Sequence, residues 1–146
     1  MFKGRYIHTL DAKGRLSVPS RFREVLAQHR EETLILTNFD NCLAGFPADE
    51  WELLEEKIRG LSMLQKDVRA FSRYFFSGAQ ECPIDRQGRI LIPPMLREDA
   101  GLEKDVVLLG LATRIEIWGK VRWDAFYKDS SENFESIAAK LSELGL

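Results

Sequence analysis

Two short segments carry residue types that could do chemistry together, Asp11-Ala12-Lys13-Gly14-Arg15 and Asp85-Arg86-Gln87-Gly88-Arg89. Each sets a carboxylate four residues before a guanidinium, with a glycine between them. A carboxylate can accept backbone N–H groups inside a tight turn, and glycine supplies positive φ at low cost. An arginine at such a turn can reach into a DNA groove and bond guanine O6 and N7 bidentately, whereas lysine mainly fixes phosphates. Arg15 and Arg89 can also pair back to Asp11 and Asp85. The two roles combine, because a carboxylate that holds one side of a guanidinium orients it. Lys13 and Arg86 stand at the loop tips, and Lys3 and Arg5 lie on the strand before the first turn. The candidate DNA contacts are therefore Arg15, Arg89, Lys13, Arg86, Lys3 and Arg5. Asp11, Gly14, Asp85 and Gly88 are read as turn-forming residues.

Other chemistries find less support. The only histidines are His8, in a strand-like stretch, and His29, in the polar run Gln28-His29-Arg30 where exposure is expected. No nucleophile–histidine spacing, G-x-S-x-G or phosphate loop occurs, so no catalytic residue and no small-molecule substrate are expected. Asp11 and Asp85 could be read as a carboxylate pair, but their place before a turn glycine favours capping. Cys42 and Cys82 share no zinc-ligand spacing with the histidines and are read as buried thiols. No metal and no cofactor are expected.

Composition sets the frame. The chain has 146 residues, 45% hydrophobic and 30% charged, enough for a core without staples. No run of about 18 apolar residues suits a membrane span. The opening Met1-Phe2-Lys3-Gly4-Arg5-Tyr6 lacks a secretory pattern, so a cytoplasmic protein is the default expectation. The net charge of −2 argues by itself against nucleic acid as a partner. It is a cancellation, however. Residues 1–30 hold seven Lys/Arg against two acids, and residues 31–72 hold nine acids against four bases.

The two segments belong to a longer internal repeat. Residues 10–24 and 84–98 align at an offset of 74, matching Asp11/Asp85, Gly14/Gly88, Arg15/Arg89, Pro19/Pro93, Arg23/Arg97 and Glu24/Glu98. Leu10/Ile84, Leu16/Ile90, Val18/Ile92 and Phe22/Leu96 match in character. The organisation reads as a first module over 1–60, a connecting helix over 61–78, a second module over 79–128 and a C-terminal helix over 129–146. Arg15–Val18 alternates as a half-buried strand should, whereas the more apolar Arg89–Ile92 is expected to be covered on both faces. Pro19 and Pro93 end these strands, and short helices follow, with Phe22, Val25 and Leu26 on one face and Pro94 in a first turn. Strands are predicted over Thr33–Thr37 and Val106–Leu111, then Cys42–Phe46 and Arg114–Trp118. Trp51, Leu54 and Ile58 form the stripe of a helix over Asp49–Arg59, ended by Gly60. Leu64, Val68, Phe71 and Phe75 recur at helical spacing before Gly78. After a short helix from Trp123 to Tyr127, Phe134, Ile137, Ala138, Leu141 and Leu144 form an apolar stripe over Ser131–Leu144. That stripe can pack on its own domain or on a neighbouring subunit.

The paired D-x-x-x-R motifs, the opening Met1-Phe2-x-Gly4 and the run Gly14-Arg15-Leu16-Ser17-Val18-Pro19 resemble the MraZ family, bacterial transcriptional regulators linked to the division and cell wall gene cluster. The resemblance spans nearly the whole chain, duplication included; one D-x-x-G-R-x-x-x-P alone indicates only the wider AbrB-like superfamily. It implies an α+β, mainly β fold, a tandem duplicated swapped-hairpin β-barrel of AbrB-like type with flanking helices, in which one chain supplies both interlocking modules. It also implies ring oligomers, commonly octamers or dodecamers, that bind direct repeats in double-stranded promoter DNA, mainly as repressors, in the cytoplasm and on the nucleoid. By position, Arg15 and Arg89 carry over as DNA-facing, Lys13 and Arg86 follow from lying inside the motifs, and Lys3 and Arg5 rest on charge. Two rival readings keep the fold. One is a ring-forming protein-interaction scaffold with little specific DNA affinity, supported by the acidic middle and tail. The other is an antitoxin-like regulator that binds DNA as a dimer and carries a toxin-binding tail, against which the doubled module within one chain counts.

Overall fold

A computed structural model describes residues 1–30 and 32–146 of the chain. The first half runs β1 (Phe2–Thr9), β2 (Arg15–Ser17), α1 (Ser20–Gln28), β3 (Thr33–Phe39), β4 (Cys42–Phe46), α2 (Ala48–Arg59) and α3 (Lys66–Ser77). The second half repeats the order as β5 (Gln80–Pro83), β6 (Arg89–Leu91), α4 (Pro94–Asp99), β7 (Asp105–Ala112), β8 (Arg114–Gly119), α5 (Lys120–Glu132) and α6 (Phe134–Glu143). The class is α+β, and every strand pairing among the described residues is antiparallel.

The halves exchange strands. β1 pairs with β7 of the second half, and β5 pairs with β3 of the first. β4 meets β8 in the middle, giving a six-stranded sheet in the order β1-β7-β8-β4-β3-β5. β2 and β6 form a separate two-stranded ribbon. The expected closed barrel is not found among the described residues, because β1 and β5 end the large sheet and the ribbon is not hydrogen-bonded into it as a strand. The reason is local. Pro19 and Pro93 lack an N–H and cap α1 and α4, so each ribbon strand stops after three residues. The ribbon still packs against both edges, and His8 on β1 lies 2.7 Å through Nδ1 from the Ser17 carbonyl.

Repeated positions meet in one core. Leu16, Ile90, Val18, Ile92, Phe22 and Leu96 are all buried there, with Leu34, Leu108 and Ile115. Each such side chain contributes about 1.5–3 kcal/mol by leaving water. A second cluster forms where α2 and α3 cover the sheet: Trp51 stacks on Phe75 at 5.4 Å between ring centroids. The Thr37 hydroxyl donates to the Phe75 carbonyl in the same cluster.

Several expectations change. Leu91 is 57% exposed, so β6 is covered on one face only, like β2. Odd-numbered ribbon residues point outward while Leu16 and Ile90 point to the core, and no further layer lies outside them. Leu64 precedes α3 and is exposed instead of joining the stripe of Phe75. His29 is half-buried, with Nδ1 at 2.6 Å from Asp49 Oδ2, because the end of α1 meets the first turn of α2. That contact foremost holds the Asp49 carboxyl below its ordinary range. Cys42 and Cys82 are buried free thiols. Burial pushes the Cys82 thiol up to about 11, and burial, with Glu116 nearby, raises Cys42 further. No helix of the described residues is long and apolar enough to cross a membrane.

Candidate nucleic-acid interface

Each turn is built on its aspartate. Asp11 Oδ1 accepts the N–H groups of Lys13 at 2.9 Å and Arg15 at 2.8 Å. Asp85 Oδ1 accepts those of Gln87 at 2.8 Å and Arg89 at 2.9 Å. Backbone bonds from Gly14 to Asp11 and from Gly88 to Asp85, both 3.0 Å, close the loops. Gly14 and Gly88 sit at φ of +83° and +75°, where a side chain is strained. The Arg15 and Arg89 amides are the first cause of lowered carboxyl pKa values at Asp11 and Asp85, with the guanidiniums adding to it.

The second aspartate oxygen takes the guanidinium. Arg15 Nε donates to Asp11 Oδ2 at 2.7 Å, and Arg89 Nε to Asp85 Oδ2 at 3.1 Å. These ion pairs are half-exposed, so their stabilising effect is small. Their geometric effect is larger. Each pair fixes the Nε side of the guanidinium, and no acceptor among the described residues hydrogen-bonds the two terminal nitrogens.

The ribbon brings the two motifs together. Arg15 lies opposite Leu91, Leu16 opposite Ile90, and Ser17 opposite Arg89. Arg15 and Arg89 are therefore diagonal neighbours on the outer face, about 7–8 Å apart. The turns lie at opposite ends of that face: Ile92 N–H donates to the Gly14 carbonyl and Val18 N–H to the Gly88 carbonyl, both at 2.9 Å. Four strand steps separate Gly14 from Val18, so the turns stand roughly 13 Å apart. Lys13 and Arg86 are exposed at their tips. The aspartates offset the two motif arginines, and Lys13 and Arg86 supply a positive surplus.

Lys3 and Arg5 are not gathered there. Both lie on β1, with Arg5 about four strand steps, roughly 13 Å, before Thr9 and the turn that follows it. The Arg5 guanidinium stands over Tyr127 at 4.8 Å and near Trp123 at 5.9 Å from the ring centroids, a cation–π seat on α5. Two residues that the repeat matched without a role do reach the turns. Arg97 packs on Gly14 and Arg23 on Gly88. The signal for them was their recurrence at the motif offset.

Among the described residues, no three His, Cys, Asp or Glu side chains gather as a metal site. A cleft of about 240 Å³ is lined mainly by apolar side chains, among them Phe39, Leu53, Phe71 and Phe75, with Glu50, Lys57 and Arg114 at its polar side. It lies between α2, α3 and the sheet, away from the ribbon.

A family model described as "MraZ protein, putative antitoxin-like" matches the chain twice, over residues 1–74 and 75–144. Among curated proteins, a "Transcriptional regulator MraZ" of Syntrophobacter fumaroxidans is 49% identical, over 99% of this chain and 97% of its own length. Proteins of the same name from Acetivibrio thermocellus and Alkaliphilus oremlandii are each 50% identical over the full length of both chains.

Proposed function

The chain belongs to the MraZ family, and from that premise we propose that it is a non-catalytic, sequence-specific DNA-binding transcriptional regulator. In this reading it represses its own division and cell wall operon from the cytoplasm and nucleoid. It binds tandem direct repeats in the promoter as a homo-oligomeric ring of about eight to twelve subunits. The full-length relatives named as transcriptional regulators support the regulatory role. The fold reading that goes with it is an AbrB-like swapped-hairpin arrangement, supported by the exchange of β1 and β5 between the halves.

One observation carries the DNA reading. Two guanidiniums, each oriented by a carboxylate through Nε, share one exposed ribbon face between two basic turn tips. A guanidinium so fixed presents its terminal nitrogens to a base edge with little rotamer entropy left to lose. Arg15 and Arg89 are the base-reading candidates, and Lys13 and Arg86 the phosphate contacts.

The oligomer follows from charge. A chain of net charge −2 offers DNA one small positive face against an acidic remainder. Repeating that face around a ring lets each bound repeat raise the effective concentration of the next contact. Exposed Phe134, Ile137 and Leu141 on α6 and Leu144 just after it, with the mainly apolar cleft beside α2, supply surface for subunit contacts. The test is a gel-shift titration on single and tandem promoter sites. A steep gain in affinity per site with the number of repeats, lost progressively with salt, is expected. Equal affinity per site on both DNAs contradicts the ring mechanism.

The same exposed apolar stripe favours a second reading, a ring that displays its helices to protein partners and has little specific DNA affinity. Retention on heparin or DNA resin at low salt separates the two, since a pure scaffold of pI 5.8 flows through.

A further inference from the structure

Behind each turn lies an arginine from the other half of the chain. The Arg97 guanidinium covers Gly14 so closely that a methyl group there would stand 2.6 Å from Cζ. Arg23 covers Gly88 in the same way, with the corresponding distance 2.9 Å. A Cβ at either position would oblige the guanidinium to move, so glycine, required there by its positive φ, also lets the flat group lie close. Each turn is thus held from two sides, by its own aspartate within and by a guanidinium plane from across the ribbon.

The bracing is directional. Arg23 Nε donates to the Val18 carbonyl at 3.2 Å, and Val18 N–H donates to the Gly88 carbonyl at 2.9 Å. Helix α1, the end of β2 and the second turn therefore form one closed set. At the first turn, Ile92 N–H donates to the Gly14 carbonyl at 2.9 Å, and Arg97 Nε is buried without an acceptor. An N–H left unpaired in the interior is costly. The flat contact with Gly14 is the contact that this guanidinium makes with the first turn.

We propose that Arg97 and Arg23 are positioning residues for DNA recognition, each setting the turn of the opposite half. Arg97 on α4 sets Lys13 and Arg15, and Arg23 on α1 sets Arg86 and Arg89. The proposal rests on the DNA-binding reading above. It makes each reading turn complete only when both halves are folded together, which gives the duplicated, strand-exchanged chain a functional consequence. The action is through shape as well as charge. A lysine keeps the charge but has no plane to lay on glycine, so Arg→Lys is not conservative here.

The test uses the full chain with Arg97→Lys and, separately, Arg23→Lys. Two readouts are taken: amide hydrogen exchange at both turns, and affinity for tandem-repeat DNA against salt. Arg97→Lys is expected to speed exchange at Gly14 and Arg15 by about tenfold or more, with Gly88 and Arg89 unchanged. DNA affinity is expected to fall roughly tenfold with the salt slope retained, because the charge count is the same. Arg23→Lys gives the mirror pattern. Arg97→Lys combined with Lys13→Ala loses less than the product of the single losses, whereas its combination with Arg86→Ala gives the product. Arg97→Met, without plane or charge, reproduces the same turn-specific exchange. Unchanged exchange at the first turn, equal loosening of both turns, or full DNA affinity despite a loosened turn overturns the proposal. If the unmodified protein does not bind DNA, the DNA reading falls and the positioning role with it, while the exchange pattern still reports whether the brace exists.

Discussion

At the first turn Arg15 Nε meets Asp11 at 2.7 Å, the tip residue is Lys13, and the arginine behind Gly14 leaves Nε unpaired. At the second turn Arg89 Nε meets Asp85 at 3.1 Å, Lys13 is replaced by Gln87, and the cation stands one residue earlier as Arg86. Arg23, behind Gly88, spends its Nε on the Val18 carbonyl. What the turns share is what the backbone needs: aspartate to accept amides, glycine at positive φ, and an arginine laid over that glycine. What differs is the tip, which only solvent or a ligand meets. Duplication has kept the frame and let the contact vary. A true twofold arrangement matches palindromic sites. Unlike tips remove that symmetry, as direct repeats require under the proposed function.

The largest expected effect breaks the shared frame. Gly14→Ala forces a Cβ into the Arg97 guanidinium at positive φ, and a loss of about 1–3 kcal/mol in folding stability is expected from the strained backbone. Gly88→Ala is expected to cost less, because the corresponding approach is 2.9 Å against 2.6 Å. Urea melts of the two variants check the order: equal losses would show that the arginine braces yield, and no loss at either turn would contradict the backbone strain.

A smaller effect sharpens the difference at the tips. Lys13→Gln gives the first turn the second turn's residue at that position. A loss of DNA affinity that is uniform across sequences is expected, with a salt slope lower by about 0.9. Arg86→Gln should show the same at the second turn. A loss confined to one base sequence would move Lys13 from phosphate contact to base reading.

The smallest effect concerns acid. Asp11 and Asp85 have lowered pKa values in the folded chain, foremost through the Arg15 and Arg89 amides. Their contribution to the turns is present above the ordinary carboxylate value of about 3.9 and fades as pH falls through the lowered folded values. Amide shifts of Arg15 and Arg89 should therefore stay flat from neutral pH to about 4 and move only below it. An NMR titration with a midpoint at or above the ordinary value at one turn would show that this turn lacks the bonds described.

Local signals made much of this legible. Asp-x-x-Gly-Arg announces its turn because aspartate and glycine act within five residues, and Pro19 and Pro93 announce the strand ends. Trp51, Leu54 and Ile58 report their helix through spacing alone. What stayed hidden depends on distant residues. Nothing near Leu91 says that the ribbon has an empty outer side. Arg5 reads as a free cation until Trp123 and Tyr127 arrive from α5. Arg23 and Arg97 recur visibly, but their role exists only once each helix packs against the other half's turn. The exchange of β1 and β5 is invisible to periodicity, because either half offers a suitable partner strand.

The central claim is that the ribbon face reads DNA while the rest of the chain assembles and folds without it. Native mass spectrometry of the Arg15→Ala/Arg89→Ala chain, with and without tandem-repeat promoter DNA, tests this most directly. The account predicts an unchanged oligomer mass and no DNA-bound species under conditions where the unmodified chain binds. DNA-bound oligomer at full abundance would contradict the reading of Arg15 and Arg89 as DNA contacts, and a collapsed or unfolded oligomer would make the turn ion pairs structural first.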